Sequence, residues 1–426
     1  MTEPVEKMLS VEEALERVLS LVRPLPLEEV PILDALDRVL GEDIVSDINI
    51  PPFQNSAMDG YAVRSADVAN ASPANPVRLR VIGDLAAGYA PEVEVTPGTA
   101  VRIMTGAPIP PGADAVVRFE DTDEGQALES NLHAGARRQE VLILRPAAPH
   151  DNVRDAGEDI RQGERVLAAG TVLRPQEIGV LASLGRPTVK VHRRPRVAIL
   201  ATGDELVDIT QPLAPGKIRN SNEYSNAALV LKYGGIPIRL GIARDNVADL
   251  TAKIRAGLDQ QVDLFITSAG VSVGDYDVVK DVLNTLGRIN FWQVRMKPGK
   301  PLAVGLIDGV PLIGLPGNPV SAMVSFEQFV RPAMRVMQGR RAWRKQRIQV
   351  VLDEDIKNTS GRRHFIRAIV TKQGDQYFAR TTGDQGSGIL TSMVKANALL
   401  IIPEDQRLAR KGELVTAEML DWPEVE

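Results

Sequence analysis

The chain has 426 residues, of which 44% are hydrophobic and 25% charged, and its formal net charge is −5. This composition is typical of a globular protein of about two to four domains. It does not favour nucleic acid as a partner, because the basic runs are short and aromatic residues make up only 4% of the chain. The absence of cysteine excludes disulfides and thiolate chemistry, and the four histidines lack helical ligand spacing. Any metal should therefore be a hard cation with oxygen ligands.

The first predicted element is an amphipathic helix over residues 10–22, which Ser10 can cap. The stretch that contains it is acidic, unlike a signal peptide, and no apolar run in the chain approaches membrane-spanning length. We therefore expect a cytoplasmic protein that has no membrane partner.

The next part of the chain, from Val63 to Val141, consists of short alternating apolar stretches broken by Gly and Pro, which predicts a mostly-β insert. A Pro-rich joint at 145–154 leads into a strand, a turn and a helix that return to the first domain. From about 195 to 335, strands alternate with helices, including a helix at 247–259 and a long one from Pro319 to Met337. Such alternation predicts a parallel sheet covered by helices.

The segment from Ile348 onward again alternates like strands and predicts a small C-terminal β domain. The predicted fold class is thus a multidomain α/β plus β protein. The predicted domains are a discontinuous N-terminal domain (1–47 and 150–190), an inserted mostly-β domain (48–149), an α/β domain (191–340) and a C-terminal β domain (341–426).

Carboxylates follow several strands of the predicted parallel sheet. They are Asp204, Glu205, Asp245, Asp275 and Asp277. Ligands usually bind at the carboxyl ends of such strands, and carboxylates that meet there repel one another unless a cation is present. Magnesium suits oxygen ligands and also bridges phosphates. The alternative for each single Asp is that it only caps the next helix.

The loop Ser268–Asp275 contains Gly270 and Gly274 directly after a buried strand, so its backbone N–H groups could curl around an anion. A purely structural Gly turn is the alternative. The loop does not match a phosphate-binding NTPase motif, because no GK[ST] follows it.

The stretch LPGNPVSAM at 315–323 predicts a rigid helix start. Pro319 suits the first helical position, and Asn318 can cap the helix. The N–H groups of such a helix end attract anions, and Ser321 could add a hydroxyl. Lys297 and Lys300 lie in MKPGKPL, another turn stiffened by Pro and Gly. Taken together, the turns predict an oxyanion pocket, whereas the lysines alone would suggest a solvated turn.

Several longer motifs resemble one known family over nearly the whole chain. They are SAMDGYA (56–62), RIMTGAPIPPGADAVV (102–117), NVRDAGEDI (152–160), TGDEL, GKIRNSN (216–222), TSAGVSVGDYD, MKPGKP, GLPGNPVSAMVSFE and TTGDQGSGIL. These motifs are similar to those of the molybdopterin molybdenumtransferase family, which includes the bacterial MoeA proteins and the gephyrin E domains.

The resemblance implies an elongated four-domain protomer that forms a homodimer, with an α/β domain of the molybdopterin-adenylyltransferase fold. It implies that adenylylated molybdopterin and molybdate give molybdenum cofactor and AMP, with magnesium as the usual metal. A separate molybdopterin adenylyltransferase would supply the substrate, and molybdoenzyme-specific chaperones are further partners that the resemblance allows. The sequence does not distinguish molybdate from tungstate.

The family's functional positions can be carried over to matching residues of this chain. Glu205, Asp245 and Asp277 match acidic residues near the metal and pyrophosphate, and Asp59 matches an aspartate presented by the neighbouring subunit. Other cleft positions match Thr105, Arg154 and Asp159. Positions around the oxyanion match Lys297, Lys300, Ser321, Arg367 and Ser387.

Without the resemblance, Arg367 and Ser387 would be interpreted as surface residues of a β domain. Some bacterial members have a lysine where this chain has Gln293, so Arg295 or Lys297 would have to supply that charge.

Two other functions fit the same sequence. A pterin or nucleotide pyrophosphatase would need only the acidic rim, and molybdate dependence would separate it from a transferase. A non-catalytic scaffold of the gephyrin E-domain type would bind peptides through its dimer.

Overall fold

The computed structural model describes residues 8–125, 138–244, 246–268, 285 and 287–422. The chain divides into two compact units. The first contains Met1–Gly41, Val172–Arg174 and Val189–Glu426, and the second contains Glu42–Thr171 and Pro175–Thr188. Among the described residues, no helix is both long and apolar enough to cross a membrane. The boundaries of the four predicted domains remain a prediction.

The first unit begins with helix α1 (Val11–Ser20), strand β1 (Leu27–Pro31) and a 3₁₀ turn (Ile32–Ala35). The α1 helix confirms the first predicted element. Ser10 Oγ accepts a hydrogen bond from the Glu13 N–H at 3.1 Å, and the Glu13 carboxylate accepts one from the Ser10 N–H at 2.7 Å. This reciprocal capping satisfies donors that the helix start would otherwise leave free.

The second unit consists mainly of strands. In chain order its elements are β2 (Ile44–Val45), β3 (Asn55–Ser56), β4 (Gly60–Val63), α2 (Ser65–Val68), β5 (Val77–Leu85), β6 (Thr99–Ile103), β7 (Ala115–Arg118), a 3₁₀ turn (Phe119–Asp121), β8 (Glu140–Ile143), β9 (Val153–Arg154), β10 (Arg165–Leu167) and α3 (Pro175–Ser183). Five strands form a sheet in the order β7-β4-β6-β5-β8. Apolar side chains from alternate positions form two buried clusters, so the predicted mostly-β insert is confirmed.

The α/β part of the first unit follows. Its elements are β11 (Thr188–His192), β12 (Arg196–Thr202), β13 (Leu206–Val207), β14 (Ile218–Arg219), α4 (Ser221–Lys232), β15 (Ile236–Ala243), α5 (Val247–Asp259), β16 (Leu264–Ser268), β17 (Gly287–Gln293), β18 (Met296–Lys297), β19 (Pro301–Ile307), β20 (Val310–Leu315), α6 (Pro319–Ser325), a π-helical turn (Phe326–Val330) and α7 (Arg331–Met337). The last three continue one another, which confirms the predicted long helix.

A six-stranded sheet runs in the order β15-β12-β16-β20-β19-β17. The neighbours β15, β12, β16 and β20 are parallel, but β19 is antiparallel to both β20 and β17. The predicted parallel sheet is therefore mixed at one edge. The reason is a hairpin in which Asp308 (φ 46°) and Gly309 (φ 82°) form a two-residue turn between β19 and β20.

The C-terminal part of the first unit is a β domain, as predicted. Its elements are β21 (Arg347–Leu352), β22 (Ile356–Lys357), β23 (Arg363–Gln373), β24 (Gln376–Thr381), α8 (Thr391–Lys395), β25 (Ala398–Ile402), β26 (Leu408–Ala409) and β27 (Leu414–Met419). The order β23-β24-β21-β27-β25 closes into a barrel through pairing of β25 with β23. The strand β18 also pairs with β23, which places Lys297 opposite His364.

Candidate functional site

A cleft of about 920 Å³ lies in the first unit, at the carboxyl ends of β12, β16 and β20. Its volume is suited to a ligand larger than a simple ion. Six of the sequence-predicted site residues line it: Glu205, Ser268, Lys297, Lys300, Ser321 and Ser387. Side chains that are distant in sequence therefore share one cavity.

The remaining predicted site residues lie elsewhere. Arg367 is buried behind the cleft wall. Asp245, Asp277, Gly270 and Gly274 lie outside the described residues. Asp59, Thr105, Arg154 and Asp159 belong to the second unit.

The acidic side of the cleft is formed by Glu205, just after β12. Gly203 has a φ of 138°, and a Cβ atom there would collide with the Glu205 carboxylate. The Ile218 N–H donates to the Glu205 carbonyl at 2.8 Å, which holds the turn against β14. Glycine at position 203 thus leaves space for this carboxylate to fold back over its own turn.

The cationic side is formed by the Lys297–Lys300 turn. Gly299 has a φ of 98°, and a Cβ atom there would lie 2.5 Å from Ser325 Oγ, so the close approach requires glycine. The Lys300 carbonyl accepts the Val294 N–H at 2.7 Å. Of the two residues that could compensate for Gln293, Lys297 lines the cleft and Arg295 does not. Arg362 is a further cation that lines the cleft. The sequence analysis did not identify it, although it lies in the same stretch as Arg367, GRRHFIR (361–367).

The helix start at LPGNP forms the floor beside these lysines. Pro319 is the first residue of α6, as predicted. The Asn318 side chain accepts no hydrogen bond from the first turn of the helix. Its Nδ2 donates to Ser387 Oγ at 2.9 Å. The Val320 N–H donates to the Ser387 carbonyl at 3.1 Å. The helix end therefore binds the loop that carries Ser387. Asn318 occupies the predicted N-cap position, but its side chain makes no capping hydrogen bond.

Arg367 differs most from what the sequence alone suggests. Its side chain is fully buried, not at the surface of the β domain. Nε donates to Ser392 Oγ at 3.0 Å and Nη2 donates to the Gly386 carbonyl at 3.1 Å. Burial lowers the pKa of Arg367 to about 10, which still leaves the guanidinium charged at neutral pH.

Two polar atoms at the cleft have no hydrogen-bond partner among the described residues. They are Ser268 Oγ, at the end of β16, and Asn222 Oδ1, at the start of α4. Asn222 Nδ2 donates to the Gly317 carbonyl at 2.7 Å, so its oxygen is left as the free end of the amide. Buried polar groups are rarely left unsatisfied, and these atoms provide hydrogen-bonding capacity for a ligand. Sequence reasoning missed Asn222, although it lies in the quoted GKIRNSN motif.

In the second unit, Asp59 and Thr105 form one polar cluster. Asp59 Oδ1 accepts the Thr105 N–H at 2.7 Å and its hydroxyl at 2.8 Å. These hydrogen bonds hold the pKa of Asp59 below its usual value, so this exposed carboxylate is ionised at neutral pH. Arg154 pairs with Asn55 between β9 and β3, and the Asp159 N–H donates to the Ile50 carbonyl at 3.0 Å.

The described residues include no group of three His, Asp or Glu side chains placed to hold a metal ion. Of the three predicted magnesium ligands, Glu205 lies among the residues that the structure describes. It contributes carboxylate oxygens at the cleft. These are donors of the type that a hard cation requires.

His364 lies beside the cationic side of the cleft. It is only 5% exposed, and neither ring nitrogen has a partner among the described residues. Burial lowers its pKa to about 4, and the charges of Lys297, Arg367 and Arg362 add to the shift. The imidazole is therefore neutral at physiological pH.

This shift predicts acid sensitivity of the first unit. Because the pKa of His364 is lower in the folded chain, the unfolded chain binds the extra proton as the pH falls below about 6.5, and stability is lost until about pH 4. Linkage gives a loss of about 2 kcal/mol between pH 7 and pH 5. Denaturant unfolding of His364→Gln should lack this contribution. Equal pH slopes for the wild type and the variant would contradict the assignment.

The fold and the site together define a class of protein. It is a multidomain α/β and β-barrel protein whose cleft contains a carboxylate and lysines, the groups that binding of a phosphorylated or oxyanionic ligand requires. Residues 9–185 match the model of the MoeA N-terminal region (domain I and II). Residues 198–336 match a probable molybdopterin binding domain, and residues 349–420 match the MoeA C-terminal region (domain IV). The chain belongs to the MoeA family of molybdopterin molybdenumtransferases, which confirms the resemblance.

Individual relatives agree over nearly the full length. The chain is 38% identical over 418 residues to the molybdopterin molybdenumtransferase of Haemophilus influenzae, covering 96% of this chain and 98% of the relative. It is 40% identical over 405 residues to molybdopterin molybdenumtransferase 2 of Mycobacterium tuberculosis, covering 93% and 96%. The crystal structure of the molybdopterin biosynthesis MoeA protein from Pyrococcus horikoshii superposes with a TM-score of 0.78 at 33% identity, covering 97% of this chain and 100% of that one.

Proposed function

We propose that this chain is a molybdenum insertase, which transfers molybdate into adenylylated molybdopterin and releases AMP. The observation that carries the proposal is the cleft of the first unit, where Glu205 shares one cavity with Lys297 and Lys300. A pyrophosphatase would need the acidic side alone, whereas the lysines add a site for a second anion. The relatives named molybdopterin molybdenumtransferase support the same activity.

The residues of the cleft suggest how the reaction is promoted. Lys297 and Lys300 are compact charges suited to a tetrahedral oxyanion, and the hydroxyls of Ser321 and Ser387 add donors beside them. Ser268 and Asn222 offer hydrogen bonds to the organic part of the substrate. No covalent nucleophile is required, because positioning and charge neutralisation bring the dithiolene and the oxyanion together.

Magnesium is the proposed metal. Glu205, with Asp245 and Asp277, would hold it, and the bound ion would neutralise the negative charge of the phosphoanhydride. This role follows from the donor chemistry of Glu205 and from the matching family positions.

The assembly is part of the same proposal. We place the protein in the cytoplasm as a homodimer in which Asp59 completes the cleft of the neighbouring subunit. The ionised state of Asp59 suits it to an electrostatic role there. A separate molybdopterin adenylyltransferase would supply the substrate.

The test is incubation of the purified chain with adenylylated molybdopterin and magnesium, with and without molybdate. We expect AMP release and cofactor formation together, and only when molybdate is present. AMP release that is equally fast without molybdate would identify a pyrophosphatase and overturn the proposal. A parallel arm with tungstate measures which oxyanion is preferred.

A further inference from the structure

Ser392 lies behind the cleft wall and does not line the cleft. It belongs to the short helix α8 and is only 3% exposed. Its hydroxyl donates to the Ile389 carbonyl at 2.7 Å and accepts from Arg367 Nε at 3.0 Å. Because the single hydroxyl proton goes to Ile389, an oxygen lone pair faces the guanidinium, and the orientation of both groups is defined.

The Arg367 guanidinium connects Ser392 to the wall of the cleft. Arg367 Nη2 donates to the carbonyl of Gly386, the residue directly before Ser387. The backbone of Arg367 holds the earlier part of the same loop, since its N–H donates to Gln385 Oε1 at 2.9 Å and its carbonyl accepts the Thr382 N–H at 3.0 Å. These backbone contacts do not depend on the side chain, whereas the contact to Gly386 does.

Ser387 is the end of this chain of contacts, and it faces the oxyanion side of the cleft. Its hydroxyl is bonded by Asn318 Nδ2 and its carbonyl by the Val320 N–H, both at the start of α6. A shift of Gly386 would therefore change how Ser387 meets the helix end and the neighbouring Ser321. A small displacement at a binding site is enough to weaken a ligand that needs several donors at once.

We infer that Ser392 is a positioning residue for the oxyanion end of the cleft, acting through the Arg367 guanidinium and the Gly386 carbonyl on Ser387. The inference rests on the proposed function, since the oxyanion is the molybdate that the reaction consumes.

The experiment compares Ser392→Ala and Ser392→Thr with the wild type. We expect the alanine variant to raise the KM for molybdate about tenfold while kcat changes by less than about twofold, because the hydrogen bond to a charged group is lost away from the reacting atoms. Threonine keeps the hydroxyl and should restore the wild-type KM. The matched control is Asn397→Ala, which removes hydrogen bonds to Val370 on the same strand but none to Arg367. It should lower the melting temperature and leave the KM unchanged.

A double-mutant cycle with Ser387→Ala tests the route of the effect. If Ser392 acts through Ser387, the double variant should have the KM of Ser387→Ala alone, and additive effects would overturn the inference. So would an unchanged KM in Ser392→Ala, or a KM raised equally by Asn397→Ala. The equilibrium affinity of the same variants for molybdate, measured by calorimetry, tests the inference independently of turnover. A wild type that binds molybdate without forming cofactor would overturn the proposed function but not this inference.

Discussion

Replacing Lys297 by alanine is expected to lower kcat/KM for molybdate by about 100-fold or more, which is the typical effect of removing one donor to a developing or bound oxyanion. Lys297 lines the cleft beside Lys300 and the start of α6, in a turn whose close packing against Ser325 requires glycine at position 299. Steady-state kinetics with varied molybdate measures the effect.

Two variants make the Lys297 result specific. Lys297→Arg keeps the charge but changes its shape, so we expect it to recover part of the lost activity. Lys372→Ala removes an exposed lysine beside Tyr377 on the barrel, and it should leave kcat/KM unchanged. Retention of wild-type activity within about threefold by Lys297→Ala would contradict the proposed oxyanion site.

Replacing Glu205 by glutamine is expected to reduce kcat about 100-fold at fixed magnesium, since the variant keeps the shape of the side chain and loses its charge. The turn places this carboxylate over Gly203, whose φ of 138° and close contact with the carboxylate favour glycine. Titration with magnesium should show a higher concentration for half-maximal activity. The unfolding midpoint should change little because the side chain is exposed.

The neighbouring Asp204→Asn is the matched control for Glu205. Asp204 lies in the same turn but is not among the residues that line the cleft. We expect its magnesium dependence to remain that of the wild type. Equal losses in the two variants would indicate that the turn, and not the Glu205 carboxylate, is what the reaction needs.

Much of the fold was predictable because its signals are local. The capping box at Ser10, the periodicity of 247–259 and the Pro at the start of α6 are read within a few residues of where they act. The hairpin at Asp308–Gly309 carried an equally local signal, since Asp-Gly between apolar runs favours a two-residue turn. Recognition of this turn signal would have predicted that β19 runs antiparallel to β20.

The candidate site was predictable in part. Gly-rich and Pro-rich turns after strands correctly indicated side chains that line the cleft, so Glu205, Lys297, Lys300 and Ser321 were found from their positions alone. Arg362 and Asn222 were missed because nothing in their immediate neighbours distinguishes a cleft residue from an exposed one. Asn318 stands at the predicted N-cap position, but its side-chain partner, Ser387, is 69 residues away in sequence and could not be found from local signals.

The sequence by itself determined the kinds of elements, their order and the chemistry available after each strand, because periodicity, capping and turn preferences act between neighbours in the chain. Only the tertiary structure decided that Arg367 is buried, that Ser392 supports it and that Ser387 meets the start of α6. These outcomes depend on closure of the barrel through β23 and β25 and on its pairing with β18, contacts between residues far apart in sequence. Local patterns indicate which side of a strand is apolar. The residues that cover that side are determined only when strands distant in sequence pair.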